Sequence, residues 1–364
     1  MNELTGLAED FAAGLATLDK IGVDAGVDTL VLRAPATLTW LTGGRVNVPN
    51  TLDAACFDIV VDGVGHNPSA TVVTNAIEAP RLAATELASL PLTYTVVPWT
   101  ADRAATLPTG PGVGTDVPGA GRADLAAPVA AARRALTARQ TDRLRGVCQD
   151  AAAAITAVAY QISPHLTEYQ AAGLIAAQLL DREMDPVCLF VAGDTRMSEH
   201  RHPLPTGRRL GERASLVCCA RRNGLIASIT RIVCFGAPPR PDRYLAILDV
   251  EQVFLDATKV GATLGGVVQA GFAAYGANGF ADDEWRRHHQ GGLSGWQPRE
   301  FPAGLDSPVV LADNSVVAWN PSGDTFKVED TCLVTADGAQ PLVHDPAWPA
   351  LTVGGRVRPD LLIR

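Results

Sequence analysis

The sequence lacks the marks of several classes of protein. Although 47% of its 364 residues are hydrophobic, no apolar run reaches the length that crosses a bilayer. The N-terminal stretch MNELTGLAEDFAAGLATLDKIG carries early acidic residues and no basic segment followed by an apolar one, so it does not resemble a secretory signal. We therefore expect a soluble, cytoplasmic protein with no membrane partner.

Regular cysteine spacing and excess positive charge are also lacking. The seven cysteines are odd in number and include no C-x-x-C pair, which argues against a disulfide framework or a structural zinc site. We expect most of them to be buried free thiols. The formal net charge of −9 opposes binding to a phosphate backbone, so no nucleic-acid partner is expected.

The first 130 residues alternate helix-like and strand-like segments. VDTLVLRAP, DIVVDGVG and LTYTVVPW are typical of buried strands, and the helix before the first of them is predicted to end at Gly26. This alternation predicts an α/β domain with a mostly parallel sheet. Dinucleotide binding has no support, because no G-x-G-x-x-G fingerprint follows the first strand. We interpret the Gly- and Pro-rich segment 107–121 as a linker or a surface loop near the domain boundary.

Residues 131–364 predict a second domain, of α+β class. Helical segments open it, a strand and a hairpin follow, and further helices lead into several C-terminal strands. The pattern indicates an antiparallel sheet with helices segregated to one face. Its local signals are two capping boxes and an Asn-Gly hairpin turn, at Thr137 with Gln140, Thr167 with Gln170, and Asn223-Gly224.

Several phrases occur together in an order that points to a known superfamily. They are LTWLTGGR in the first domain and, in the second, HPLPTGRRL, NGLIASITRIVCFG, HHQGGLSGWQPREFP, AWNPS and VEDTCLVTADG. The chain resembles the pita-bread superfamily of creatinase, prolidase, Xaa-Pro aminopeptidase and methionine aminopeptidase. The resemblance covers nearly the whole chain. It implies a creatinase-like N-terminal α/β domain, a pita-bread α+β catalytic domain and a homodimer.

The resemblance also implies where a metal centre would stand. Peptidases of this superfamily bind two metal ions through two Asp, one His and two Glu. Those positions fall on Val217, Ser228, Gly292, Asn320 and Glu329. Only Glu329 is a metal ligand by chemistry, and the other four side chains cannot offset the dehydration of a divalent transition metal. We therefore predict no metal ligands and no cofactor.

Two histidines are the candidate proton carriers. His202 matches the family histidine that contacts substrate, and a neutral imidazole can exchange a proton with a leaving nitrogen near pH 7. The alternative is a surface histidine, like its neighbour His200. His289 and His288 precede two glycines, where the family places a pocket histidine. If these residues alternated along a strand, only one would face the pocket, and we favour His289 as catalytic and His288 as substrate-binding. Either could instead be structural.

The remaining candidates are carboxylates and cations. Glu300 and Glu329 are candidate catalytic groups, and two carboxylates in one pocket would raise one pKa. Alternatively, Arg299 or Arg231 pairs with one of them, or holds a substrate carboxylate.

Three further residues complete the candidate set. Asn320 could bind a substrate amide or cap a turn. Arg45 would bind substrate across a dimer, by fold analogy alone. One of the neighbours Cys218 and Cys219 should face the former metal cavity, as a buried thiol.

These residues suggest three functions. The first is a metal-independent pita-bread enzyme that hydrolyses or eliminates across a C–N bond of a small amide, amidine or amino-acid-derived substrate, as the resemblance to creatinase implies. The second is a non-catalytic pseudo-peptidase that binds a peptide or protein. The third is an Xaa-Pro-type metallo-aminopeptidase whose substitute ligands are His200, His202, His288, His289, Asp324 and Glu329.

Overall fold

The computed structural model describes residues 3–46, 55–237 and 240–364. It divides the chain into two compact units, Met1–Arg134 and Ala135–Arg364. Within the described ranges, no helix combines the length and the apolarity required to span a bilayer.

The first unit is built around one six-stranded sheet. Its helices are α1 (Glu3–Ala25), α2 (Pro35–Thr42), α3 (Ala79–Ala84) and α4 (Ala126–Ala132), with a short 3-10 helix at Arg103–Thr106. Its strands are β1 (Thr29–Leu32), β2 (Phe57–Asp62), β3 (Ser69–Asn75), β4 (Thr93–Val97), β5 (Val113–Thr115) and β6 (Ala123–Asp124), in the order β4-β3-β2-β1-β5-β6.

This sheet is mixed, and the prediction of a mostly parallel sheet needs correction. The pairs β3–β4, β1–β5 and β5–β6 are parallel, but β2 pairs antiparallel with both β1 and β3. A short turn joins β2 to β3, and so short a connection permits only a hairpin. The segment 107–121 is not the domain linker, because it contributes β5, which pairs with β1 in the interior of the sheet.

The second unit contains the larger sheet. Its helices are α5 (Ala138–Gln161), α6 (Glu168–Leu180), α7 (Arg196–Glu199), α8 (Pro241–Ala257) and α9 (Leu264–Ala277), with a 3-10 helix at Glu284–Arg287. Its strands are β7 (Asp185–Gly193), β8 (Arg213–Arg222), β9 (Leu225–Cys234), β10 (Gly291–Leu293), β11 (Phe301–Pro302), β12 (Val316–Trp319), β13 (Ser322–Gly323), β14 (Phe326–Lys327), β15 (Glu329–Thr335), β16 (Gly338–Pro341), β17 (Ala350–Val353), β18 (Arg356–Pro359) and β19 (Leu362–Ile363).

The strands of this sheet run in the order β11-β10-β12-β15-β9-β8-β7, and every one of these pairs is antiparallel. The local predictions are confirmed. Both capping boxes form at the starts of α5 and α6. The β8–β9 hairpin turns at Asn223 and Gly224, whose φ angles of 46° and 83° are those of a two-residue turn that twists with its strands.

A buried ion network fixes the centre of this sheet from one side. Arg358 is 1% exposed and donates from Nε to Glu251 Oε2 at 2.8 Å. Its Nη1 lies 2.9 Å from Asp330 Oδ2, and Arg231 Nη1 donates to Asp330 Oδ1 at 2.7 Å. The network joins α8, β9, β15 and β18. Because Asp330 directly follows Glu329, it also fixes the side chain of Glu329 on the opposite face.

Removing the central cation of this network should destabilise the protein. Arg358→Met leaves the buried carboxylate of Glu251 without its partner and leaves Asp330 with Arg231 alone, so we expect a loss of about 3–5 kcal/mol in the free energy of unfolding. The matched control is Arg356→Met on the same strand, whose partner Asp256 is largely exposed; it should cost less than about 1 kcal/mol. Urea denaturation of both variants measures the difference, and equal losses would contradict the structural role of the network.

Candidate active site

Four neighbouring strands each contribute one side chain to a row across the second sheet. The register pairs Phe190 of β7 with Val217 of β8, Val217 with Thr230 of β9, and Thr230 with Glu329 of β15. Paired residues of antiparallel strands point to the same face of a sheet. The row therefore places Glu329 beside Thr230 and Val217 on one face.

A second row of paired residues lies on the same face, displaced by two residues along each strand. Cys188 pairs with Cys219, and Cys219 pairs with Ser228. The thiol of Cys219 lies 3.5 Å from the Ser228 hydroxyl. Of the two adjacent cysteines, Cys219 therefore shares the face of Glu329, whereas Cys218 points away.

The carboxylate of Glu329 is 2% exposed and is held by two cations. Arg299 Nη2 donates to Oε1 at 2.6 Å, and Lys327 Nζ lies 2.9 Å from Oε2. The Thr230 hydroxyl donates to Oε2 at 3.2 Å. The surviving member of the family's ligand set is thus fully engaged by protein groups.

These cations keep Glu329 ionised. Burial by itself would raise its pKa, but the charges of Lys327 and Arg299 outweigh burial and hold the pKa well below its usual range. The predicted rise of a carboxylate pKa is therefore wrong for Glu329, and the alternative of an ion pair with Arg299 is correct. Glu300 is half-buried, and its amide donates to Leu293 O at 2.8 Å; its catalytic role stays a prediction.

Three histidine rings converge beside this ion pair. His202 Nε2 lies 3.0 Å from His288 Nε2, and one ring nitrogen from each of His202, His288 and His289 lies within 4.8 Å of the others. The ring of His202 stacks on Phe190, with centroids 4.9 Å apart and planes inclined by 20°. His288 is buried, whereas His202 and His289 reach solvent.

The surroundings of the three rings disfavour their protonation. Burial and the charge of Lys327 lower the pKa of His202, and the same two causes lower that of His288 much further. Partial burial and the charge of Arg299 lower the pKa of His289 to about 4. All three rings are therefore neutral near pH 7 and can each accept or donate a hydrogen bond.

The expectation that only one of His288 and His289 faces the pocket is wrong. Both rings pack against His202, with centroids 4.9 and 5.2 Å away. The two residues precede β10, which begins at Gly291, and directly follow a 3-10 helix. The alternation of a strand does not apply to them, so neighbouring rings can point the same way.

The histidine cluster is the part of the site that could converge on a metal ion, but its electrostatics oppose one. A metal ion and a proton are both cations. Lys327 and Arg299, which lower the proton affinity of the rings, also lower their affinity for a divalent ion. Two cations against the one carboxylate of Glu329 leave this region with net positive charge, which favours an anion.

Buried polar atoms without partners lie next to the ion pair. Asn320 directly follows β12, whose last residue pairs with Asp330, so Asn320 lies across from Glu329. Its Oδ1 and the Ser322 hydroxyl are buried and accept no described hydrogen bond. Ser322 and Lys327 line an open cleft with an empty volume of about 350 Å³. These atoms are suited to N–H donors of a ligand.

Two predicted substrate-binding arginines lie elsewhere. Arg231 is on the face of β9 opposite to Thr230, where it pairs with Asp330 and donates to the Thr230 carbonyl at 2.9 Å. Its placement at the substrate was wrong, because neighbouring residues of a strand point to opposite faces. Arg45 is exposed in the loop after α2 of the first unit, and its role across a dimer stays a prediction.

Comparison with known proteins identifies the fold and the family. The model of metallopeptidase family M24 matches residues 142–336, more than half of the chain. The chain belongs to metallopeptidase family M24. This membership and the two-unit fold confirm the pita-bread resemblance and the predicted α/β plus α+β fold class. A comparison with curated proteins found no match.

Solved structures of the same fold include a dipeptidase, a prolidase and an Xaa-Pro dipeptidase. Dipeptidase PepE from Mycobacterium ulcerans is 17% identical with a TM-score of 0.75, covering 98% of each chain. The prolidase from Pyrococcus horikoshii OT3 is 15% identical with a TM-score of 0.75, covering 91% of this chain and 98% of its own. The Xaa-Pro dipeptidase from Bacillus anthracis is 14% identical with a TM-score of 0.72, covering 97% and 100%. At these identities the likeness shows the fold.

The residues of this M24 chain do not fit the dinuclear metal centre of the family's peptidases. Val217, Ser228 and Asn320 do stand around Glu329 through the strand register, but none carries a carboxylate. At the histidine position, Gly292 has no side chain at all. The amide oxygen of Asn320 is uncharged and would be a weak metal ligand, and Glu329 is already paired with two cations.

The backbone has also closed over the histidine position. A Cβ added to Gly292 would lie 2.3 Å from the Phe301 carbonyl oxygen and 2.8 Å from the Ala303 nitrogen. The φ angle of Gly292 is +150°, which side chains rarely adopt. A histidine side chain at this position would require β11 to move, so the backbone itself excludes this metal ligand.

The substitute metal ligands of the third hypothesis do not come together. Of the six, only the three histidines described above converge within the described part of the chain. Asp324 pairs instead with Arg243 at 2.7 Å, and His200 is exposed beside Glu199.

Lys327 is the site residue that the sequence reasoning missed. It lies outside the phrases that carry the family resemblance, and it does not occupy one of the family's metal-ligand positions. A local signal was present, since Lys327 stands two residues before Glu329 in extended chain, where side chains at that spacing share a face.

A methyl group at Gly292 should destabilise the protein. Gly292→Ala forces the backbone of β11 to move, and we expect a loss of about 1–3 kcal/mol in the free energy of unfolding. The control is Gly304→Ala, where an added Cβ meets nothing within 4 Å. Chemical denaturation compares the two, and a tolerated Gly292→Ala would show that the backbone has room for a ligand.

The buried histidine should make stability depend on pH. The folded pKa of His288 lies below its unfolded value, so below about pH 6.5 the unfolded chain binds a proton that the folded chain does not. Stability therefore falls as the pH falls from 7.5 to 5, by up to about 1.4 kcal/mol per pH unit. His288→Asn should reduce this slope and leave the contributions of His202 and His289, whereas His165→Asn, at an exposed position, should leave the slope unchanged. Melting temperatures measured from pH 7.5 to 5 test this prediction. If the slope of stability against pH is the same in both variants as in the parent protein, the pKa of His288 is not lowered in the folded state.

Proposed function

We propose that the protein is a metal-independent hydrolase that cleaves a C–N bond in a small amide, amidine or amino-acid-derived substrate. M24 membership supports hydrolysis of a C–N bond. The finer proposal is carried by one observation: the ionised Glu329 is neutralised by Lys327 and Arg299 instead of lying open to metal ions. The nearest precedent in the superfamily is creatinase, which the chain resembles and which uses no metal.

The neutral histidines can supply the proton transfers of such a reaction. His202 reaches solvent and can accept a proton from the attacking water as its oxygen bonds to the substrate carbon. It then gives that proton to the leaving nitrogen as the C–N bond breaks, so an amide and water yield an acid and an amine. His289 lies close enough to share this role, and the buried His288 orients His202 through the 3.0 Å contact.

The cations can supply the electrostatic part. Negative charge develops on the substrate oxygen as water adds, or resides on a substrate carboxylate. Lys327 and Arg299 carry one more charge than Glu329 neutralises, and a fixed cation in a dry site stabilises such charge strongly. Glu329 itself is a weak base because of its low pKa, so its role is to position the two cations.

The orphan acceptors favour a substrate rich in N–H groups. Asn320 Oδ1 and Ser322 Oγ are both 2% exposed or less, and each lacks a described partner. Leaving a buried acceptor unpaired costs about 1–3 kcal/mol, which a substrate amide or amidine would recover. Ser322 also lines an open cleft, through which a ligand can approach these atoms from solvent.

Metal analysis and a substrate screen test the proposal together. Protein purified without chelator or added metal should hold far less than one metal ion per chain by elemental mass spectrometry. Turnover of a small amide, amidine or amino-acid derivative should persist in EDTA. His202→Ala should lower kcat/KM by about 10²–10⁴-fold, and Lys327→Met should lower it as well, because each removes a group at the reacting atoms.

Matched controls are His165→Ala and Lys259→Met, at exposed positions away from the site. Stoichiometric manganese, cobalt, iron or zinc with EDTA-sensitive turnover would overturn the metal-independent proposal in favour of a metallo-aminopeptidase. Full turnover in both His202→Ala and Lys327→Met would overturn the assigned roles.

The unpaired acceptors equally suit a protein that binds a ligand without turning it over. Saturable binding of a peptide in the cleft, with no turnover of any small substrate, would favour the pseudo-peptidase. The homodimer implied by the resemblance belongs to the same proposal, and light scattering of the purified protein reports its mass.

A further inference from the structure

Cys188 and Cys219 form a cross-strand pair beside the candidate site. They are register partners on β7 and β8. Directly opposite residues on antiparallel strands have Cβ atoms about 4.5–5.5 Å apart. A disulfide needs about 3.5–4.5 Å, so a small approach of the strands would suffice.

The two thiols are close enough to affect each other's ionisation. Their mutual interaction is the largest influence on both, and it raises the pKa of Cys188 and lowers that of Cys219. The pair lies where approach is easy, since β7 is the last strand of the sheet and its register shifts at Pro186–Cys188. Cys188 is partly exposed, so a small oxidant can reach the pair from solvent.

The remaining cysteines differ from this pair. Cys148, Cys218, Cys234 and Cys332 are at most 1% exposed, and burial raises the pKa of each thiol. Cys56 is partly exposed but lies in the first unit, where its sulfur accepts from Arg81 at 3.7 Å. An oxidant that forms a disulfide within the second unit therefore has one exposed starting point.

We propose that Cys188 and Cys219 are a redox modification site, which hydrogen peroxide converts to a disulfide and a dithiol reductant restores. The thiolate sulfur attacks one peroxide oxygen, an S–O bond forms, the O–O bond breaks and hydroxide leaves as water. The second thiol then attacks that sulfur, the S–S bond forms, the S–O bond breaks and a second water leaves. Two thiols are oxidised and one peroxide is reduced.

Either thiol can attack the peroxide first. Cys188 is the more exposed to an oxidant, whereas the interaction with Cys188 lowers the pKa of Cys219. Thiolate character and a neighbouring resolving cysteine are the two features of a redox-sensitive site.

The disulfide would tie the two strands beneath the histidines. Phe190, on which His202 stacks, lies two residues from Cys188 on the same face, and Val217 lies two residues from Cys219. Oxidation also removes the contact between Cys219 and the Ser228 hydroxyl. The modification needs no assumption about the reaction that the site catalyses.

Peptide mass mapping of the whole protein tests the proposal. After treatment with a small excess of hydrogen peroxide, the intact mass should fall by two hydrogens and return on reduction with dithiothreitol. Trypsin should release a linked pair of peptides, Glu183–Arg196 and Ala214–Arg221.

The second of these peptides carries both Cys218 and Cys219, so substitutions decide between them. Cys188→Ser and Cys219→Ser should each abolish the linked pair, whereas Cys218→Ser and Cys56→Ser should leave it intact. If Cys219→Ser fails to fold, Cys188→Ser at the sheet edge carries the test, together with the retained link in Cys218→Ser. A link that survives Cys188→Ser, a link lost in Cys218→Ser but not in Cys219→Ser, or oxygen addition without a link would overturn the proposal.

Discussion

The ion pairs of Glu329 with Lys327 and Arg299 are the interaction on which the rest of the site depends. A carboxylate buried to this degree without a partner would cost several kcal/mol or would take up a proton. The pita-bread resemblance implies a glutamate that faces metal ions at this position. Here two side chains of the protein supply the positive charge, and they do so without an open coordination position.

That replacement determines the character of the neighbouring groups. Burial lowers the pKa of the adjacent histidines, and Lys327 and Arg299 lower it further. The same two cations outweigh burial at Glu329, so the site combines one ionised acid with three neutral bases. Such a pocket has the charge that suits an anionic ligand and the neutral bases that proton transfer needs. The same positive potential disfavours the binding of divalent metal ions. The backbone around Gly292 leaves no room for a ligating side chain, which also disfavours them.

The two faces of the central strands carry different sets of side chains. On one face, Arg231, Asp330 and Arg358 form a sealed network that stabilises the sheet. On the other, Glu329, Thr230 and Cys219 border the candidate site, with Cys188 at its exposed edge. Because consecutive residues alternate between these faces, Glu329 and Asp330 serve different structures although they are neighbours in sequence.

The sequence by itself determined the local structure, the family and the fold class. Capping boxes and an Asn-Gly turn depend on residues within a few positions, so Thr137, Thr167 and Asn223 could be assigned without any tertiary contact. Motif order was enough for the family and the fold class.

Only the tertiary structure decided which charges meet. Lys327 was overlooked, Arg231 was placed on the wrong face, and His288 was separated from His289, because pairing across strands and the direction of a loop side chain depend on residues far apart in sequence. Electrostatics acts through space, so the protonation of Glu329 and of the histidines became predictable only when their neighbours were known.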